Sequence, residues 1–282
     1  MVGMVGPVPP LLTAAMAERL LEGVSCVSLD LGLSEVEVGT DAEDVLLPDG
    51  SRVTRGELRR IAEGGNGVFF LGDGGLFQVA ISDGHFYKLV ATDGAPTLEI
   101  DGIRMHRTVG VTPGRDARGK LDALGVDEGR VLDTCGGLGY TALGALGRGA
   151  GLVVSVERRP EVVRIAQLNP WSRGLFEDAR AHLLIGDSFH VVEGLPVAFF
   201  DYVVHDPPRF AHAGELYGGE FYSRLFRVLR PGGLIFHYTG EPGSRYRRLD
   251  IRRGVIRRMR GAGFRDLRYV RGVLGIVGVR GP

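Results

Sequence analysis

Apolar and polar positions change period several times in the first third of the chain. LLTAAMAERLL (11–21) repeats at helical spacing, whereas CVSLDLGLSEVEVGT (26–40) alternates as half-buried strands do. Pro48-Asp49-Gly50 predicts a hairpin turn, and GELRRIAEGG (56–65) a short helix stopped by glycine. VFFLGDGGLFQVAISDGHFYKLVATDG (68–94) reads as three short aromatic and β-branched strands broken at Gly-Asp-Gly-Gly and Asp-Gly turns, a small antiparallel sheet. Residues 1–110 are therefore expected to form a small α+β domain that serves substrate recognition.

After a connector (108–129) with one helix near 115–124, the rhythm changes. The short apolar runs VLD, LVVSVE, HLLIGD, FDYVVHD and GLIFHYTG are separated by helical stretches such as PEVVRIAQL and GEFYSRLFRVL. Buried strands alternating with helices predict a mostly parallel sheet covered on both faces. At the end, FRDLRYVRG and VLGIVGVR follow each other without room for a crossover helix, so they must pair antiparallel. Residues 111–282 are thus expected to be one doubly wound α/β domain, and no internal repeat is visible.

Composition changes this picture little. The 282 residues, 44% apolar and 24% charged, are those of an ordinary globular enzyme. Cys26 and Cys135 are too few for a disulfide framework or a metal cluster, and no run of about 18 apolar residues occurs, so a cytoplasmic protein without metal or membrane is expected. Charge adds one clue. The net charge is zero, yet residues 1–130 carry twelve basic against twenty acidic side chains, and from residue 244 onward twelve arginines face only Asp250 and Asp266. A basic C-terminal segment points to a polyanion, RNA first, or to a solvated arginine-rich helix face.

The chemistry concentrates at strand ends. VLDTCGGLGYTA (131–142) reads as a buried strand ending in Asp133, a turn through Gly136, Gly137 and Gly139, and a helix starting at Tyr140. Backbone N–H groups and a helix start then face a small ligand that the glycines allow close. GLGYTA also fits a dinucleotide turn, but such a fingerprint runs from the strand into glycine without an aspartate such as Asp133. Glu157 ends the next strand, 18 residues beyond Gly139, a suitable distance for a carboxylate that accepts ribose hydroxyls. Asp187 and Asp206 end the third and fourth strands, Asp187 placed for an adenine amino group.

VLDTCGGLG, VVSVERRP, LLIGDSF and VVHDPPRF, in that order, resemble the class I S-adenosylmethionine-dependent methyltransferases over about residues 115–282. The resemblance implies a Rossmann-like seven-stranded sheet with the last strand antiparallel. It implies S-adenosylmethionine as cofactor, with Asp133, Gly137 and Gly139 at the methionine part, Glu157 at the ribose and Asp187 at the adenine. Cys135 stands where many members have glycine and is taken as a pocket liner. NPWS, HDPPRF, GELY and FHYTGEPG, with TLEIDGIRMHR upstream, are similar to an archaeal family of predicted methyltransferases.

His205-Asp206-Pro207-Pro208-Arg209-Phe210 is similar to the Asp/Asn-Pro-Pro-aromatic motif of enzymes that methylate exocyclic base amines. The Asp206 carboxylate and the Pro207 carbonyl would hold the amine hydrogens, the two prolines would fix the loop, and Arg209 or Phe210 would stack on the base. Glu215, Tyr217, Tyr222, His237 and Tyr238 are candidates for the substrate mouth, and Trp171 for a stacking ring or a loop anchor. The leading expectation is N-methylation of RNA (rRNA or tRNA), with N4 of cytidine as target. The alternatives are a polyamine aminopropyltransferase using decarboxylated S-adenosylmethionine and a non-catalytic RNA-binding protein on the same fold.

Overall fold

The structure is a computed structural model describing residues 8–41, 43–208, 210, 213–240 and 251–282. The chain divides into two compact units, one of residues 1–114 with 161–176, the other of residues 115–160 with 177–282.

In the first unit, Ala14–Leu21 is a helix capped by the Thr13 hydroxyl. Arg55–Glu63 is a second, opened by a capping box in which Thr54 and Glu57 satisfy each other's backbone N–H groups. The hairpin around Pro48-Asp49-Gly50 joins Asp44–Leu46 to Arg52–Thr54. Two stretches depart from the alternation read in the sequence. Within 26–40 only two-residue strands form, because the Asp30 carboxylate accepts from Ser28 Oγ (2.8 Å), Leu33 N (3.0 Å) and Ser34 N (2.9 Å) and folds the middle into a turn. Residues 68–92 contain four strands rather than three. Val79 divides LFQVAISD between two sheets, its N–H donating to Val68 O (2.8 Å) and its carbonyl accepting from Leu89 N (2.9 Å).

The second unit carries a seven-stranded sheet. Its strands are β1 (Gly129–Asp133), β2 (Ala150–Glu157), β3 (Ala181–Ile185), β4 (Phe200–His205), β5 (Leu229–Tyr238), β6 (Phe264–Val270) and β7 (Gly275–Arg280). They lie in the order 3-2-1-4-5-7-6, with β7 antiparallel to both β5 and β6. This is the expected sheet, including the closing hairpin.

Helices of this unit are α1 (Pro113–Leu124, whose first two residues group with the first unit), α2 (Tyr140–Leu146), α3 (Ser188–Val191), α4 (Gly219–Val228) and α5 (Ile251–Gly261). Helical spacing decides what α4 and α5 bury. Phe221, Leu225 and Val228 from α4, and Val255 and Met259 from α5, join Leu132, Val203 and Ile235 of the sheet in one core. No helix among the described residues is long and apolar enough to cross a membrane.

Phe221 is fully buried beside the strands that end at Asp133 and Asp206. Phe221→Ala is expected to lower unfolding free energy by about 3–5 kcal/mol in urea titrations. Arg257→Ala, on the exposed side of α5, should change it by no more than about 0.5 kcal/mol. Equal losses would contradict this division of α4 and α5 into buried and solvent faces.

Candidate active site

Strand order reverses between β1 and β4, which are parallel neighbours whose chains leave the sheet on opposite sides. Ligand crevices of doubly wound sheets open at such a place. Here the two strand ends are tied together: Thr134 N donates to Val204 O (3.0 Å), and Ser188 Oγ at the start of α3 donates to Thr134 O.

The turn after β1 is fixed by the groups it brings together. Gly136 N donates to Val156 O (2.8 Å), and a side chain at Gly136 would strike the Ser155 hydroxyl. Gly139 precedes α2 at φ 80°, left-handed backbone that favours glycine. Asp133 is completely buried beneath this turn, accepting from Thr141 Oγ1 (2.6 Å) and Cys135 N (3.4 Å). Burial pushes its pKa up to about 6, although the Thr141 bond works the other way. Cys135 lies among these acids, and burial raises its thiol well above the usual range, so it is no thiolate nucleophile.

Glu157, at the end of β2, accepts from Gly137 N (2.9 Å) and Arg159 N (2.8 Å), and burial raises its pKa. Space is open opposite the Cα of Gly137. Asp187 caps α3 through Phe189 N (3.0 Å), lies 3.5 Å from Arg158 Nε, and follows the exposed apolar side chains of Leu184 and Ile185. A carboxylate beside open glycine backbone, followed by an apolar edge ending in a second acid, suits a ribose and a flat heterocycle.

The fourth strand end supplies a different chemistry. Lys120 of α1 places Nζ 2.5 Å from Asp206 Oδ2 and 2.6 Å from Asp116 Oδ2, over the Tyr238 ring. Burial disfavours its charge, yet the two carboxylates more than offset that and hold the ammonium protonated. Burial also raises the Asp206 pKa, an effect that Lys120 opposes. Neither Lys120 nor Asp116 stands out in the sequence as a site residue. Their i,i+4 spacing in RDARGKLDAL was the available signal, but it looks like any solvated helix pair.

Behind Asp206 the loop is anchored by aromatic groups. His205 is neutral, its pKa lowered by burial to about 3; Nε2–H donates to Leu216 O (3.0 Å) and Nδ1 accepts from Thr134 Oγ1 (2.7 Å). Tyr217 donates to Pro208 O (2.9 Å), and its ring meets Phe210 edge-on at 5.4 Å. Pro207 is buried and Phe210 half-exposed, while Arg209 lies outside the described residues. Of the other mouth candidates, Tyr222 and His237 are buried and bonded to each other (2.9 Å), and Glu215 is exposed. Trp171 is a loop anchor, donating from Nε1 to Leu31 O (3.0 Å) within the first unit. Among the described residues no group of three or more His, Cys, Asp or Glu could hold a metal ion.

The chain is 42% identical over 277 residues to uncharacterized protein MJ1233 of Methanocaldococcus jannaschii, covering 95% of each. It belongs to the MJ1233 family. Residues 118–237 match the family Conserved hypothetical protein 95. Polyamine aminopropyltransferase 2 of Streptomyces coelicolor is 36% identical over 132 residues, 44% of this chain but 24% of that protein. Solved structures agree on the fold. A spermidine synthase in complex with the transition state analogue AdoDATO superposes with a TM-score of 0.55 at 19% identity, covering 72% of this chain and 71% of that one. The spermidine synthase from Thermotoga maritima gives 0.55 at 18% identity, covering 71% of each. The MJ1233 family therefore has the spermidine synthase-like form of the class I S-adenosylmethionine-dependent methyltransferase fold.

These findings overturn the expected RNA methyltransferase and the RNA partner, because the named enzymes among the curated relatives are polyamine aminopropyltransferases and the two structures above are spermidine synthases. Four arginines of the arginine-rich segment, part of which lies outside the described residues, have a physical explanation. Arg258 Nε donates to Tyr217 O (2.7 Å), Arg280 to Leu229 O and Arg268 to Ala123 O (3.4 Å), while Arg252 lies over the Tyr269 ring. These guanidinium groups bind the protein's own carbonyls and rings, so counting them overstated a polyanion footprint.

Asp133 yields a stability prediction. Its folded pKa of about 6 exceeds the ordinary 3.8, so between those values the folded state holds the proton more tightly, and stability falls as pH rises through that window. The Thr141 bond favours the ionised form, which predominates above pH 6. Thr141→Val should therefore destabilise by about 1 kcal/mol more at pH 8 than at pH 5 in urea titrations; equal losses would contradict the assignment.

Proposed function

We propose that the protein is an aminopropyltransferase that moves the aminopropyl group of decarboxylated S-adenosylmethionine to the amine of a polyamine. The observation that carries this reading is the charge of the crevice. Asp116, Asp133, Glu157 and Asp206 lie at or beside the strand ends, the fields of Asp206 and Glu157 reach Asp133, and among the described residues the ammonium there, Lys120, is held between Asp116 and Asp206. A methionine carboxylate brought here meets like charge. An aminopropyl chain ending in an ammonium, and a polyamine acceptor, meet opposite charge. The polyamine aminopropyltransferase relatives and the spermidine synthase fold support the same reading.

On this proposal Glu157 holds the ribose hydroxyls, and Leu184, Ile185 and Asp187 receive the adenine. Gly137 and Gly139 let the backbone approach the sulfonium side, and Cys135 lines that pocket. Asp133 keeps the turn in shape and supplies negative potential for the aminopropyl ammonium. The donor, when bound, supplies a carbon activated by its sulfonium leaving group. Asp206 holds the acceptor nitrogen and takes its proton as the nitrogen–carbon bond forms, while the carbon–sulfur electrons leave with sulfur as methylthioadenosine. Pro207, Pro208 and Tyr217 fix the Asp206 loop, and Phe210 lies at its edge.

The test is to incubate the protein with decarboxylated S-adenosylmethionine and putrescine, cadaverine, agmatine or spermidine, and to follow products by mass spectrometry. An aminopropylated amine should appear with one methylthioadenosine per transfer. Asp206→Asn should lower kcat/KM by about 10²–10⁴-fold, the usual range for a proton-accepting group. Methyl transfer from S-adenosylmethionine to these amines, with no aminopropyl transfer, would overturn the reading.

A further inference from the structure

Asp206 is asymmetric in a way that the proposed chemistry does not require. Its Oδ2 is bound to the Lys120 ammonium, and among the described residues no group donates to its Oδ1. The Asp206 side chain keeps 24% of its surface exposed, whereas those of Lys120 and Asp116 keep 5% and 2%. Lys120 is itself held by Asp116, one helical turn earlier on α1, so three charges from two distant parts of the chain form a single row. Burying such a row costs desolvation that an apolar trio would avoid, so it is weak evidence for stability and better evidence for orientation.

Resting on the aminopropyltransferase reading above, we propose that Lys120 is a positioning residue: anchored by Asp116, its ammonium clamps Oδ2 of Asp206, turns Oδ1 toward the acceptor nitrogen and keeps the carboxylate ionised. A carboxyl group buried beside other acids tends to protonate and lose its capacity to accept a proton. Several groups bear on Asp206: Lys120 and Asp116 from α1, Asp133 from β1, Cys135 from the glycine turn and Tyr217 from the loop after β4, with the Tyr238 ring of β5 beneath the ammonium. Among the described residues Lys120 is the only cation of this group, so removing it leaves Asp206 facing the acids and neutral groups named here.

The experiment is a carboxyl 13C titration of aspartate-labelled protein without substrates, with Asp206 assigned by its missing signal in Asp206→Asn. In Lys120→Met the Asp206 midpoint should rise by about 1–3 pH units, the shift expected when an adjacent opposite charge is lost. Lys120→Arg should keep the native midpoint. Lys120→Gln, which retains a hydrogen-bond donor, should shift like Lys120→Met, and near-ultraviolet circular dichroism verifies that each variant is folded. In the transfer assay, the acid limb of kcat should move by the same interval while KM for the amine changes less. An unchanged Asp206 midpoint in the folded Met and Gln variants would overturn the role of Lys120, even if the wild type transfers aminopropyl groups. A shifted midpoint in a wild type that transfers none would leave the clamp standing and overturn the functional reading alone.

Discussion

The reversal of strand order between β1 and β4 is the constraint on which the site depends. A parallel strand must hand its chain to a crossover, and where neighbouring crossovers depart to opposite faces, the carboxyl ends of the strands lie uncovered. Residues that end those strands then face one crevice whatever their separation along the chain. Asp133 and Asp206 are 73 positions apart, one ending β1 and the other directly following its neighbour β4. The glycine turn, the Thr134–Ser188 contact and the neutral His205 all hold this edge in shape. Replacing any of them would move the backbone that carries the carboxylates rather than the carboxylates alone.

Packing several acids into one crevice has an energetic consequence. Burial raises the pKa of Asp133, Glu157 and Asp206, so the crevice favours protons or cations. Lys120 relieves part of that pressure by lying between Asp116 and Asp206. On the proposed reading, the remaining negative potential receives the ammonium ends of donor and acceptor. Chemistry on such a site needs a nitrogen and a sulfonium carbon held in line more than it needs a strong base, in keeping with a carboxylate rather than a histidine at the reacting position. Among the described residues, His205 and His237 near the site are buried, bonded and driven to the neutral form.

What was legible in the sequence follows the same logic. A strand end is a local feature: an apolar run, then an acid, then glycine or proline. Asp133, Glu157, Asp187 and Asp206 were therefore visible one by one, and the sheet that aligns them followed from the alternation of strands and helices. Lys120 was not visible, because nothing in RDARGKLDAL marks its lysine as buried, and its partner Asp206 lies 86 residues away. The late arginines were visible but misread: composition counts charges, whereas Arg258, Arg268 and Arg280 are committed to backbone carbonyls. In the first unit the alternation through Ser28–Ser34 was outweighed by one side chain, Asp30, whose hydrogen bonds to nearby backbone are made at shorter range than any strand pairing.

The central claim is that the acidity of this crevice selects the donor. Calorimetric titration of the wild type with decarboxylated S-adenosylmethionine and, separately, with S-adenosylmethionine tests it without relying on turnover or on the identity of the acceptor. The two ligands differ by one carboxylate. The account predicts that the decarboxylated compound binds at least about tenfold more tightly, roughly 1.4 kcal/mol, with the gap narrowing as salt is raised. Equal affinities, or tighter binding of S-adenosylmethionine, would contradict it.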